Sequence, residues 1–540
     1  MVRLSTFALF GAAGLVVALC LFPVFAVVLA ALSVPGDTIQ GLAATVLPRF
    51  TLNTIGLVLV TGTGSLAIGV GAAWLVTMTE FPGRRILEIA LVLPFAFPAY
   101  VLAYAYTHIL DHPGIVQSTL RELFGWGPRD YWFPEIRSFG GAAAMLTVVL
   151  YPYVYLLARA SFLSQSAAQF LVARTLGQNP LRIFFRVSLP MSRAAAVGGV
   201  LLVAMETIAD FGTVSFFGVQ TFATGIYQSW FSMADRAAAA QLALCLLSFA
   251  LLLAFLGRIT RDAPAVVHGR KREMMPRFQL SGGKAAGAFA LCALPVLVGA
   301  IIPTIVLFVM AFDSEQNLLS SRYQHFVANS LTLALIGAAI TILAALVLGS
   351  LRRSFPGRFS NGAFQAARLG YAVPGGVIAV GLMVPMAAFD NRLDQFMEQH
   401  FGISTGLLVT GSIALLLVTY MVRFLAAALS AYESGASAIH QNLDHAARVL
   451  GKSPVRTAAQ VHLPLLAPSL LTGALIVFVD VMKELPATLI LRPFNFDTLA
   501  VQAFRLASDE RLTGAAVPSL VIAGIGLLPT ILLCRRISRD

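Results

Sequence analysis

Four carboxylates stand inside otherwise apolar stretches of this 540-residue chain, at matched positions. Glu206 and Asp210 are spaced i, i+4; Asp480 and Glu484 repeat that spacing 274 residues further on. On a helix the spacing puts both acids of a pair on one face. Carboxylate oxygens are hard ligands and suit a hard cation. Ionisable groups are expensive in lipid, so the four are expected to face a bundle axis or outward water, as an electronegative mouth or waypoint for a cation. The structural alternative is equally open: Asp480 and Lys483 pair at i, i+3, and the other acids cap helix ends or receive a partner protein. No metal ligand is firmly assigned. His108 and His112 flank Asp111, but solvated helix-end histidines are the plainer interpretation. Cys20, Cys245, Cys292 and Cys534 are isolated in apolar runs and read as inert thiols.

A second matched set carries backbone shape rather than charge. Ala173 to Pro190 reads A-R-T-L-G-Q-N-P-L-R-I-F-F-R-V-S-L-P, and Ala447 to Pro464 reads A-R-V-L-G-K-S-P-V-R-T-A-A-Q-V-H-L-P. Nine of the eighteen positions are identical, again at an offset of 274. Phe81-Pro82-Gly83-Arg84 recurs as Phe355-Pro356-Gly357-Arg358 at the same offset, so the chain is a fused tandem duplication. Ala436, Ile439, Leu443, Ala447 and Leu450 recur at spacings of three and four, one face of an amphipathic helix. Gly177 and Gly451 permit a turn that other residues resist, and Pro180 and Pro454 block continuation. With a closing Leu-Pro at Pro190 and Pro464, each copy fits a short helix lying in a partner's groove. Ala173 and Ala447 allow close backbone approach there, and Arg174 and Arg448 pair with the partner's acids. Gly451-Lys452-Ser453 imitates the end of a phosphate-binding loop. The required first glycine is Ala446, no strand precedes it, and the other copy reads Gly177-Gln178-Asn179. No phosphate cradle forms, and nucleotide hydrolysis is expected on a separate subunit.

The elements that must position these residues are membrane helices. The chain is 58% hydrophobic and 11% charged, with a mean hydropathy of +0.83, which excludes a soluble globular protein and predicts an all-α polytopic membrane protein. Twelve spans are expected near 7–33, 52–79, 86–110, 139–164, 194–212, 237–257, 285–312, 327–350, 362–388, 405–430, 467–488 and 513–534. The first is too long for a cleaved signal segment. Pro94, Pro98 and Pro374 predict kinks in spans three and nine. Lys and Arg exceed Asp and Glu, 37 against 25, but they lie in the gaps between apolar runs and argue membrane topology, not nucleic acid. Alternate gaps hold 26 of the 37, so that side is cytoplasmic and both termini are inside. Six spans per half is an even number; the halves are parallel, related by a pseudo-two-fold axis along the membrane normal. Residues 1–256 form the first half, 257–284 a basic cytoplasmic linker, and 285–540 the second half. Trp126, Tyr131 and Trp132 suit the outer interface.

The motif pair resembles the E-A-A-x3-G-x9-I-x-L-P loop of ABC-importer permeases, the helix that engages the ATPase subunit. Gly177 to Val187-Ser188-Leu189-Pro190 fits that spacing, as does Gly451 to Val461-His462-Leu463-Pro464. The leading Glu is replaced by Leu171 and His445. The runs from Glu206 to Gln220 and from Asp480 to Phe494, and Phe496-Asp497-Thr498-Leu499-Ala500, resemble the fused permeases of bacterial ferric-iron ABC importers. The resemblance implies the type I ABC importer permease fold in a bacterial inner (cytoplasmic) membrane. It implies no covalent catalysis, two ATPase subunits docking at the motif residues from the cytoplasm, and a periplasmic ferric-binding protein delivering Fe(III). It implies no cofactor on this chain, with ATP and Mg on the ATPase. Thiamine, a polyamine or a sulfate-like oxyanion are alternative cargoes, and an ion-gradient-driven secondary transporter is the alternative class. Tyr100, Tyr104, Tyr106, Tyr151, Tyr153 and Tyr155 could ligate ferric iron as phenolates, but an interfacial belt is the simpler expectation.

Overall fold

A computed structural model describes residues 2–33, 36–128, 130–165, 167–261, 277–317 and 320–539. It is helical apart from one pair of two-residue parallel strands, Thr79–Glu80 against Phe278–Gln279. Among the described residues, eleven helices are long and apolar enough to cross a membrane. A twelfth span forms if Arg84–Ala96 and Ala99–Phe124, bent by 93° at their junction, count as one. Spans one, two, four, six, seven, eight and twelve lie where hydropathy puts them.

The other five differ. Pro98 and Pro374 do not kink a helix; they cap new ones, Ala99–Leu110 and Gly375–Phe401, behind short 3-10 turns at Leu93–Ala96 and Leu369–Ala372. A proline has no N–H to give to the preceding turn, and the residue before it avoids helical geometry, so the chain breaks there. The ninth and tenth spans therefore slide to Gly375–Phe401 and Ala414–Ser437. The fifth and eleventh begin earlier than their apolar cores, at Pro180 and Pro454.

The described chain forms two compact units that are not its two sequence halves. One unit comprises Met1–Pro48, Phe222–Leu251 and Asn317–Gln502; the other comprises Arg49–Thr221, Leu252–Gln316 and Ala503–Asp540. The outermost helices are thus exchanged. In the first unit, Val2–Leu32 packs on Ser321–Ser354 and Gly375–Phe401 of the second repeat, with Phe10 against Phe355 at 5.2 Å. In the second unit, Ile302–Phe312 packs on Ala99–Leu110 and Leu512–Arg539. Small residues set how closely helices cross: a Cβ on Gly199 would sit 2.7 Å from the Val154 Cα.

The tyrosines are not a belt. Tyr104, Tyr151 and Tyr155 are fully buried, and three phenols brace helices by donating to backbone carbonyls: Tyr151 to Leu91 at 2.7 Å, Tyr155 to Glu88 at 2.8 Å and Tyr106 to Val298 at 2.7 Å. Most of the basic linker, 262–276, lies outside the described residues. Its Arg277 donates to the Thr77 carbonyl and to Glu80.

Candidate functional site: the motif helices and the buried carboxylates

The two motif copies share one local turn geometry. The first motif helix is Ala167–Thr175 and the second is Asn442–Val449. Gly177 and Gly451 take φ of 70° and 71°, the left-handed region where a side chain is strained. Each helix closes with the same pair of bonds: Gln178 N–H to Ala173 and Gly177 N–H to Arg174 in one, Lys452 N–H to Ala447 and Gly451 N–H to Arg448 in the other. Asn179 and Ser453 then cap the next helix by accepting from the N–H of Arg182 and Arg456. Pro180 and Pro454 occupy its first position, where no N–H is needed. The prolines thus open a helix as well as barring the previous one. The equivalence of Asn179 and Ser453 is chemical rather than literal, which is why letter matching passed over it.

The closing Leu-Pro lies inside the span, not at an end. Pro190 and Pro464 follow single π-turns, Phe184–Ser188 and Ala458–His462, in which the Leu189 and Leu463 N–H groups reach back five residues to Phe184 and Ala458. Widening the turn is how a helix takes an interior proline without a sharp kink. Ala173 and Ala447 are the buried anchors of their helices, while Arg174, Arg448, Leu171 and His445 are exposed. Arg174 lies over the Phe278 ring at 5.1 Å. Arg448 donates to the Ser354 carbonyl at 3.4 Å. The stripe expected from Ala436 to Leu450 is not one helix face: Ala436 ends the span Ala414–Ser437, the chain turns, and Leu443 and Leu450 are exposed.

Three residues that the sequence pattern did not single out anchor the second motif helix. Asp444 accepts from Arg353 Nε at 2.8 Å and faces His462 Nε2 at 2.6 Å. Burial pushes the Asp444 carboxyl up, but the bonds from Arg353 and His462 outweigh it and hold the group below the usual carboxylate range.

Asp210, Asp480 and Glu484 are used locally. Asp210 accepts from Thr213 N–H, Thr213 Oγ1 and Val214 N–H at 3.0 to 3.1 Å, capping the short helix Gly212–Phe216. Glu484, 5% exposed, does the same for Pro486–Leu491 through Ala487 N–H, Thr488 N–H and Thr488 Oγ1 at 2.7 to 3.0 Å. Asp480 pairs with Lys483 at 2.9 Å. Glu206 is half-buried one turn before Asp210. Glu484 also lies 3.6 Å from Arg423, and any side chain at Gly375 would collide with both. Arg423 is therefore not in a cytoplasmic gap, where charge counting put it. It sits inside the span Ala414–Ser437, and its isolation among apolar residues was the available signal. Among the described residues no three His, Cys, Asp or Glu side chains cluster to hold a metal. At helix ends, Asp111 pairs with Arg137 at 3.0 Å and Arg137 with Glu510 at 2.7 Å.

A many-spanned bundle, built twice from one pattern and carrying two matched helices just ahead of matched spans, is the architecture of a transport permease. Residues 65–262 and 341–537 each match the binding-protein-dependent transport system inner membrane components, and the chain belongs to that family. It is thus a multi-pass inner-membrane permease of the ABC importer type. The Fe(3+)-transport system permease protein FbpB 2 of Haemophilus influenzae is 23% identical over 486 residues, 89% of this chain and 88% of that protein. The molybdenum transport system permease protein ModB of Escherichia coli K12 is 26% identical over 210 residues, 37% of this chain and 88% of its own length. The sulfate transport system permease protein CysW of Escherichia coli K12 is 31% identical over 162 residues, 30% of this chain and 53% of its own.

Proposed function

We propose that this chain supplies both membrane halves of an ATP-driven importer for ferric iron. An external binding protein delivers the cargo, and two separate ATPase subunits dock from the cytoplasm on the motif helices. The carrying observation is the paired motif: two eighteen-residue segments, 274 positions apart, with the same glycine conformation, the same cap and the same π-turn. Closure of the ATPase pair on ATP would draw both segments together and rock the halves toward the outside, and hydrolysis would reset them. Both termini lie in the cytoplasm in this scheme.

Iron is favoured because the ferric relative aligns through both halves, whereas the molybdenum relative aligns over 37% of the chain. The carboxylates as a cation waypoint are part of the proposal. Asp210 and Glu484 also cap short helices, and Asp480 also pairs with Lys483. An oxyanion cargo is the second reading, favoured by Arg423 beside Glu484. The test is uptake by the complex reconstituted with its ATPase and binding protein. Radio-iron accumulation that needs ATP and is undiminished by molybdate or sulfate supports the first reading. ATP-driven molybdate or sulfate uptake without iron uptake would replace it with the second.

A further inference from the structure

The two motif helices have the same local fold but unequal attachment to the spans behind them. The second is eight residues long, too short to hold its own shape and direction without tertiary support. That support is a buried polar knot. Arg353, at the end of Ser321–Ser354, gives Nη1 to the Ala436 carbonyl at 2.9 Å, Nη2 to the Ile439 carbonyl at 2.8 Å and Nε to Asp444. One arginine thus binds a carbonyl at the end of the span Ala414–Ser437, a carbonyl of the turn that follows it and the acid of the motif helix together. The other oxygen of Asp444 meets His462, which is 1% exposed and lies in the π-turn of the span Pro454–Met482. Tyr432, Ile439, Leu466 and Leu470 form an apolar cluster beside it, with Ile342 and Leu346 against them. Two spans are tied to one short helix through a single carboxylate, and a third through Arg353, by charge-assisted bonds largely withdrawn from water.

The first copy lacks these groups. The positions that correspond to Arg353, Asp444 and His462 at the 274-residue offset are Thr79, Phe170 and Ser188. The Thr79 hydroxyl is spent on its own helix, donating to the Leu75 carbonyl at 2.6 Å. Among the described residues, Gln165 Nε2 donates to the Ser188 carbonyl at 2.9 Å and to Ser192 Oγ at 3.0 Å, and the one charged contact of the motif helix is Arg174 over the Phe278 ring rather than an ion pair to a span.

We propose that Arg353, Asp444 and His462 are positioning residues that clamp the second docking helix rigidly to its spans, making it the stiff lever of the pair and leaving the first more compliant. The inference rests on the docking role proposed above. A stiff lever passes a displacement of the ATPase on to the spans; a compliant one absorbs part of it in its own backbone.

Two measurements on the full chain test this. Hydrogen exchange in lipid nanodiscs, without the ATPase, should find the amides of 442–449 at least about tenfold slower than those of 167–175. Asp444→Asn should erase that difference without altering 167–175. In the reconstituted complex, Asp444→Asn and Arg353→Gln should keep ATP hydrolysis while iron taken up per ATP falls about tenfold, with partial recovery in Arg353→Lys. The joint substitution Arg353→Met, Asp444→Leu removes both charges, leaves neither of the two orphaned, and keeps the ratio readable if a single variant folds poorly. Equal exchange in the two helices, or an uptake-to-hydrolysis ratio unchanged in all variants, overturns the clamp. A proportional fall of uptake and hydrolysis also overturns it, because that marks lost complex and not lost transmission. Failure of the unaltered chain to retain an ATPase would instead overturn the docking role itself.

Discussion

Asp210 and Glu484 occupy matched positions and make matched caps, yet their surroundings give them different weight. Asp210→Ala removes an acceptor for two backbone N–H groups and should cost about 1 kcal/mol in thermal unfolding, the usual penalty for a lost cap. Glu484→Ala also removes the carboxylate beside the largely buried Arg423, and should cost more, about 3 kcal/mol. A comparison of the two unfolding midpoints in the same detergent checks the order. Glu206→Gln separates transport from stability: lower iron uptake with an unchanged midpoint supports the cation waypoint, and unchanged uptake removes it. The acid spacing was legible in the sequence, as was the Asp480–Lys483 pair. The caps were less so, because they depend on a short helix restarting three or four residues after each span. Arg423 was misassigned by counting it as a loop charge. Two carboxylates outside the spans set a pH response. A bond from Arg137 holds Glu510 below the usual range, and Asp444 is held low against its burial by Arg353 and His462. Both folded values are depressed, so their stabilisation is complete above the unfolded carboxylate value of about 4 and is lost as pH falls through the folded one. Stability contributed by these pairs should be flat from neutral pH to about pH 5, with loss only in stronger acid, and Asp444→Asn should flatten part of the acid limb.

At the level of elements, identical letters did not guarantee identical backbone. Phe-Pro-Gly-Arg occurs twice, but Gly83 has φ of 79° while Gly357 is extended at −178°. Arg84 is buried between Glu80 and Glu88, whereas Arg358 is exposed. Tertiary context overrides so short a repeat. The longer motif held because its glycine, cap and proline specify turn geometry locally. Gly177→Ala and Gly451→Ala should therefore each cost about 1 kcal/mol through left-handed strain, and each should lower ATPase retention in pull-down without displacing the spans. Helix existence was readable from hydropathy over most of the chain. The π-turns before Pro190 and Pro464 were not, since widening one turn leaves no compositional trace. Breaks at Pro98 and Pro374 were read only as kinks, because periodicity continues across them.

For the molecule as a whole, the duplication and the bias of basic residues were written in the sequence. The exchange of outer helices between the compact units was not, because apolar pattern says that a helix is buried and not against which partner. That exchange makes each unit depend on both halves of the chain, so the halves expressed separately should be recovered together or not at all. The account stands on an external ATPase driving this permease through both motif segments. The most direct measurement is ATP-dependent iron uptake in proteoliposomes holding the purified complex, with Ala173–Pro190 or Ala447–Pro464 altered by glycine-to-proline substitution at Gly177 or Gly451. The expected result is an ATPase that co-purifies with the unaltered chain, drives uptake, and loses most of that uptake when either segment is disrupted. Full uptake with one segment disrupted, or uptake that proceeds without any nucleotide-hydrolysing subunit, would contradict it.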